Sequence, residues 1–85
     1  MSAMDKMTTY TELAAVLAAL PLLLREARRS RQLSMRGAAT QLGMSQSTVM
    51  RIEAGEDCAL SNAAAVLRWL DLPAAAQHPE GQNHG

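Results

Sequence analysis

An all-α fold is predicted by three features of the sequence. Alanine and leucine are its commonest residues, and although hydrophobic residues make up 48% of the 85-residue chain, aromatic residues make up only 2%. The apolar surface is therefore that of helix formers rather than of β-branched and aromatic strand formers. Apolar side chains recur at helical spacing in several separate stretches, and Ser, Thr, Gly and Pro punctuate those stretches where helices begin and end. The length allows one domain at most.

In order, residues 1–7 lack periodicity and read as a flexible N-terminus, residues 8–73 as a helical domain, and residues 74–85 (AAAQHPEGQNHG) as a disordered tail. Thr8 or Thr9 caps a first helix with Leu13, Val16, Leu17 and Leu20 at helical intervals and Glu12 near its positive end. Pro21 disfavours helical geometry at Leu20, so this helix stops or kinks there. Pro also suits the first turn of a new helix, Leu22–Arg31, which is expected to bury Leu23, Leu24 and Ala27 and to expose Arg25 and Arg29, with Arg31 a further candidate for exposure.

Ser34 is an N-cap for Met35–Leu42, with Ala38, Ala39 and Leu42 inward. Gly43 stands where a helix end requires a left-handed residue, and Ser45 caps Gln46–Ala54, whose inward positions are Val49 and Ile52. Gly55 closes that helix. After Glu56–Ala59 comes a fifth helix, Leu60–Asp71, with Leu60, Ala63, Val66, Leu67 and Leu70 inward, ended by Leu72-Pro73. The expected architecture is five short helices joined by short turns, without internal repeats.

Charge narrows the function. The net charge is zero, but six of the seven arginines, Arg25, Arg28, Arg29, Arg31, Arg36 and Arg51, fall within residues 25–51 beside a single acid, Glu26, and both flanks are net acidic. Charges act over about 10 Å in salt, so a local basic stripe outweighs a neutral total. On its own such a stripe fits a solvated helix face, and the segment it surrounds decides its meaning.

That segment is LSMRGAATQLGMSQSTVMRIEAG, residues 33–55. Two helices joined by a three- to four-residue turn present the second helix to a DNA major groove about 12 Å wide. The geometry needs a small residue where the helices touch, a turn residue that tolerates left-handed geometry, and apolar anchors on the second helix. Ala39, Gly43, Val49 and Ile52 supply these. The outward face of the second helix then carries Gln46, Ser47, Met50 and Arg51. Gln pairs bidentately with adenine, Arg with guanine, and Met packs on a thymine methyl.

These residues resemble the helix-turn-helix of the phage repressor and Cro family, also called the xenobiotic-response-element family, whose usual pattern is LSQxxLAxxLGVSxSTIxRIExG. The resemblance takes in LREARRSRQLS, residues 24–34, and LSNAAAVLRWLDL, residues 60–72, and covers residues 22–72. It implies a five-helix, lambda-repressor-like DNA-binding domain with an extra N-terminal helix and the helix-turn-helix at residues 34–54. It also implies that Gln46, Ser47 and Arg51 face base edges, that Ser45, Thr48, Arg36 and Arg31 contact phosphates, and that Arg28 and Glu53 form a salt bridge between the first family helix and the recognition helix. Glu53 is also the one acid on its helix, and Arg28 lies one turn past Leu24 on the packing side.

The sequence departs from the family at Met35, where Gln is usual, and at Glu56-Asp57, where the loop is often basic. Ala27 and Ala63 are small where the family prefers Leu, and Leu67 and Trp69 are large where it prefers Ala. Two accounts stand open: a volume exchange within the core, or an exposed Trp69 at a partner interface. On the second account Leu13, Leu17, Trp69 and Leu72 form a candidate dimer surface.

Other classes of function find little support. Cys58 is the only cysteine, so no internal disulfide forms, and it reads as a small, partly buried side chain. The apolar run Leu13–Leu24 contains Pro21 and falls short of the roughly 20 residues that span a bilayer, and its flanks lack the basic face of a surface-lying helix. Read as a secretory leader, it would lose, on cleavage near Ala18 or Ala19, apolar positions that a small domain needs. His78 and His84 have no partner at metal-ligand spacing, and no strand-turn-helix elbow surrounds any Ser. The expected protein is a cytoplasmic, non-enzymatic, Cro-like or small phage or prophage repressor acting by operator occlusion. It would bind double-stranded DNA, with a homodimer as the family expectation and with no cofactor, membrane or small-molecule ligand implied. The alternative is a protein-binding module on the same fold, such as an antitoxin or adaptor.

Overall fold

The computed structural model describes residues 9–73, and over them the chain forms five α-helices and no strand. They are α1 (Tyr10–Ala18), α2 (Leu20–Ser30), α3 (Met35–Leu42), α4 (Gln46–Glu53) and α5 (Leu60–Asp71). The expected flexible N-terminus, the disordered tail and the two histidines lie outside the described residues. No helix among those described is long and apolar enough to cross a membrane.

Each start has its own chemistry. Thr9 and Glu12 form a reciprocal capping box on α1, at 3.0 Å in both directions. The Ser34 side chain accepts from Gly37 N–H at the start of α3, and the Ser45 side chain accepts from Thr48 N–H at the start of α4. Pro21 has no N–H to donate back to Leu17, so the helical ladder breaks just before it. The break falls at Ala19, one residue earlier than expected, and Leu20 becomes the buried first residue of α2 rather than the last of α1.

The ends of α2, α3 and α4 share one device. In each, a residue one or two places past the helix is left-handed: Gln32 (φ 57°), Gly43 (φ 73°) and Gly55 (φ 87°). In each, a pair of backbone bonds folds the chain back, Gln32 N–H to Arg29 O with Leu33 N–H to Arg28 O, Gly43 N–H to Thr40 O with Met44 N–H to Ala39 O, and Gly55 N–H to Ile52 O with Glu56 N–H to Arg51 O. This is the Schellman motif three times over. Glycine suits the left-handed position, because a Cβ there meets the following carbonyl. Gln32 takes it without that advantage.

The core is Leu20, Leu24, Ala38, Ala39, Leu42, Val49, Ile52, Ala63, Val66 and Trp69, flanked by half-buried Ala27, Leu33, Met35, Met44, Cys58, Leu67 and Leu70. Helix α4 lies against α3 and α2, and α5 against α2. Trp69 is 4% exposed, and its indole N–H donates to Gln41 Oε1 at 2.9 Å. This corrects its placement on a candidate dimer surface. Trp69 is buried in one cluster with Ala63, and Leu67 and Ala27 pack half-buried against it, which agrees with a volume exchange within the core.

Two further expectations change. Leu60 is 84% exposed, because it opens α5 at its unpacked end, and Leu23 is exposed on the outer side of α2. Helix α1 buries none of its residues, and Tyr10, Leu13, Val16 and Leu17 all stand exposed. Of the apolar positions first assigned to it, only Leu20 reaches the core.

Candidate nucleic-acid interface

Helix α4 is held by its inner face. Val49, Ile52 and Glu53 are buried against the neighbouring helices, which turns Gln46, Ser47, Met50 and Arg51 outward, all four exposed. The turn before it is set by Gly43, whose left-handed geometry lets Met44 fold back onto the core. Serine at position 45 then starts α4 in a fixed direction.

Glu53 is the buried charge behind this helix. Arg28 donates Nε to Glu53 Oε2 at 2.7 Å and Nη2 to Glu53 Oε1 at 3.1 Å, a two-pronged pair whose side chains are 16% and 6% exposed. A third donor, Arg28 Nη1, reaches Leu33 O at 3.1 Å. The hydrogen bonds to Glu53 push the Arg28 guanidinium further up from its ordinary range, against the opposing pull of burial. One side chain thereby ties α2, the turn before α3 and the end of α4 together.

At the start of α4 the Ser45 and Thr48 hydroxyls lie 2.8 Å apart, while Ser45 Oγ also accepts the Thr48 N–H. If Thr48 donates within the pair, the Ser45 proton stays available to an outside acceptor such as a phosphate oxygen. Arg36 is exposed on the first turn of α3. Met35 is half-buried against the core, so the position that usually carries a polar Gln in the resembled family is given over to packing.

Arg31 is placed otherwise than expected. Its guanidinium stacks over the Trp69 ring at 4.3 Å and donates to Trp69 O, Leu70 O and Leu72 O at 3.2, 3.4 and 2.9 Å. These carbonyls lie at the C-terminal end of α5 and form the negative end of the helix dipole, and Trp69 O accepts the Leu72 N–H as well. Arg31 is thus an internal cap, and the expectation that it contacts phosphate is corrected. The sequence offered one clue to this: an arginine and a lone tryptophan in a chain nearly devoid of aromatics. Nothing in it pointed to Gln41 as the indole's acceptor, because the two residues meet only through the packing of α3 on α5.

The remaining exposed charge has a specific arrangement. Arg51 Nε lies 3.6 Å from Glu56 Oε1, and both side chains are more than half exposed. Arg25 and Arg29 are exposed on α2. Among the described residues no group of His, Cys, Asp and Glu is placed to hold a metal ion, and no buried side-chain N or O lacks a hydrogen-bond partner.

A left-handed turn between two short helices, the second anchored from behind and polar in front, defines a helix-turn-helix protein. A family model described as a helix-turn-helix domain matches residues 12–78, and the chain belongs to that DNA-binding family. No curated protein and no solved structure gives a significant match.

Proposed function

We propose that this protein is a sequence-specific regulator of transcription that binds double-stranded DNA in the cytoplasm through α4 and acts by occluding an operator, in the manner of a Cro-like or small phage-type repressor. The observation that carries this reading is the exposure of Gln46, Ser47, Met50 and Arg51 on one face of a helix whose opposite face is locked by the Arg28–Glu53 pair. Gln46, Ser47 and Arg51 read base edges, Met50 packs on a thymine methyl, and Ser45, Thr48 and Arg36 hold phosphates. The role is one of binding, without catalysis or a cofactor.

A homodimer on an inverted repeat suits so short a reading head, since one helix reaches only a few base pairs. Leu13 and Leu17 on α1 supply its contact surface, with Leu72 beside the far end of α5. The same exposed α1 favours a second reading, in which the domain grips a protein partner as an antitoxin or adaptor does.

Selection of bound sequences from a random DNA pool, followed by a salt titration on the recovered site, separates the two. The first reading expects one recovered motif and an affinity that falls steeply with salt. Absence of DNA binding at low salt, or binding untouched by Arg51→Ala, overturns it in favour of the second.

A further inference from the structure

We infer that Glu56 is a specificity-determining residue: it positions the Arg51 guanidinium for base reading, an inference that rests on the DNA-binding assignment of α4. The Schellman motif that ends α4 brings the residue just past the left-handed glycine back beside a residue of the helix's last turn, a place where two apolar side chains usually meet. In α3 the residue so placed is Met44, half-buried against the core, opposite Ala39. In α4 the two places are held by Glu56 and Arg51, joined through Glu56 N–H to Arg51 O at 3.0 Å and through the side-chain pair at 3.6 Å. An apolar contact has been replaced by an ionic one on the exposed reading face.

The chemistry of the pair is directional. The carboxylate meets Arg51 at Nε, leaving both terminal Nη groups for the fork that reads guanine O6 and N7. A long, exposed arginine otherwise loses side-chain freedom on binding, and an acid fixed by backbone geometry bears part of that ordering cost in advance. The acid also discourages Arg51 from settling on a phosphate, and it repels phosphate itself. Glu56 therefore lowers affinity for DNA at large and raises the preference for the base that Arg51 reads. An acidic residue in a loop of a DNA-binding domain acquires a purpose on this account.

The test compares sequences selected from a random DNA pool by the intact protein and by Arg51→Ala, Glu56→Gln, Glu56→Ala and Asp57→Asn. Asp57 makes no ion pair with Arg51, so Asp57→Asn removes a neighbouring charge while leaving the pair in place. Arg51→Ala locates the base position that Arg51 reads. At that position Glu56→Ala should weaken the base preference about two- to fivefold, the range of an exposed ion pair, while affinity for unrelated DNA rises. Glu56→Gln, which keeps an acceptor without the charge, should fall between. Asp57→Asn should raise affinity for unrelated DNA and leave the preference intact. If both Glu56 variants keep the full preference, or lose affinity for all sequences equally, the positioning role is overturned and the DNA-binding assignment stands. If the intact protein recovers no motif, the assignment itself fails and carries this inference with it.

Discussion

Glu53 and Arg28 show how much of this domain's stability rests on two side chains. An acid with 6% exposure is tolerable only because Arg28 meets both its oxygens. Arg28→Ala or Glu53→Ala leaves a buried charge without a partner and should each cost about 3–5 kcal/mol, a large share of a small domain's stability, read by thermal or urea unfolding. Replacing both, as Arg28→Met with Glu53→Leu, should recover most of the loss, since an apolar pair of similar volume removes the desolvation cost. It should not recover all of it. Leu33 O loses its Arg28 donor, and such a bond contributes about 1 kcal/mol. If the double variant is no more stable than the single ones, the buried pair is not what the single variants disturb. Gln32 offers the opposite sign. It occupies left-handed geometry at φ 57°, a conformation that costs a side-chain-bearing residue about 1–2 kcal/mol, so Gln32→Gly should raise stability by about 1 kcal/mol. A loss would mean that the Gln32 side chain contributes more than its backbone strain costs.

At the scale of the helices, Arg31 gives the sharpest test, because sequence and structure assign it different duties. As a phosphate ligand its loss would lower DNA affinity and leave folding untouched. As the cap on α5 it holds three carbonyls and the Trp69 ring at once. Arg31→Ala should therefore lower stability by about 2 kcal/mol, the sum of a few modest polar contacts and a stacked cation, and leave the salt dependence of DNA binding unchanged. Arg31→Lys should retain little of the cap, since an ammonium cannot lie flat on the indole and fork to carbonyls together. The helices themselves were legible in the sequence, because caps and stops are local: Thr9, Ser34, Ser45, Gly43 and Gly55 act on residues within one turn. The Arg28–Glu53 pair was legible only through the family resemblance together with the scarcity of acids on α4. The Arg31–Trp69–Gln41 cluster was not, because Gln41 and Arg31 lie 28 and 38 residues from Trp69 and meet it only once α5 has packed. Helix α1 was legible only in part, for a related reason. Helical spacing of Leu13, Val16 and Leu17 establishes an apolar stripe, but whether that stripe is covered depends on neighbours the spacing does not name.

Across the whole molecule, the folded chain redistributes the charge that the sequence concentrates. Six arginines crowd residues 25–51, yet Arg28 and Arg31 are spent internally, on Glu53 and on the end of α5. Exposed Arg25, Arg29, Arg36 and Arg51 remain, the last beside Glu56. The electrostatic footprint on DNA is thus smaller than the stripe implies, and it can be counted. With two to four phosphates neutralised per protomer, the logarithm of the binding constant should fall with the logarithm of salt concentration at a slope of about −2 to −4, and a dimer on two half-sites should double it. Arg36→Ala should flatten the slope by about one per protomer and weaken all sequences alike, while Arg51→Ala should relax the preference at one base position. A slope near −5 per protomer would mean that Arg31 leaves its cap to reach the backbone. A slope near zero would remove phosphate contact, and with it the groove-reading role of α4.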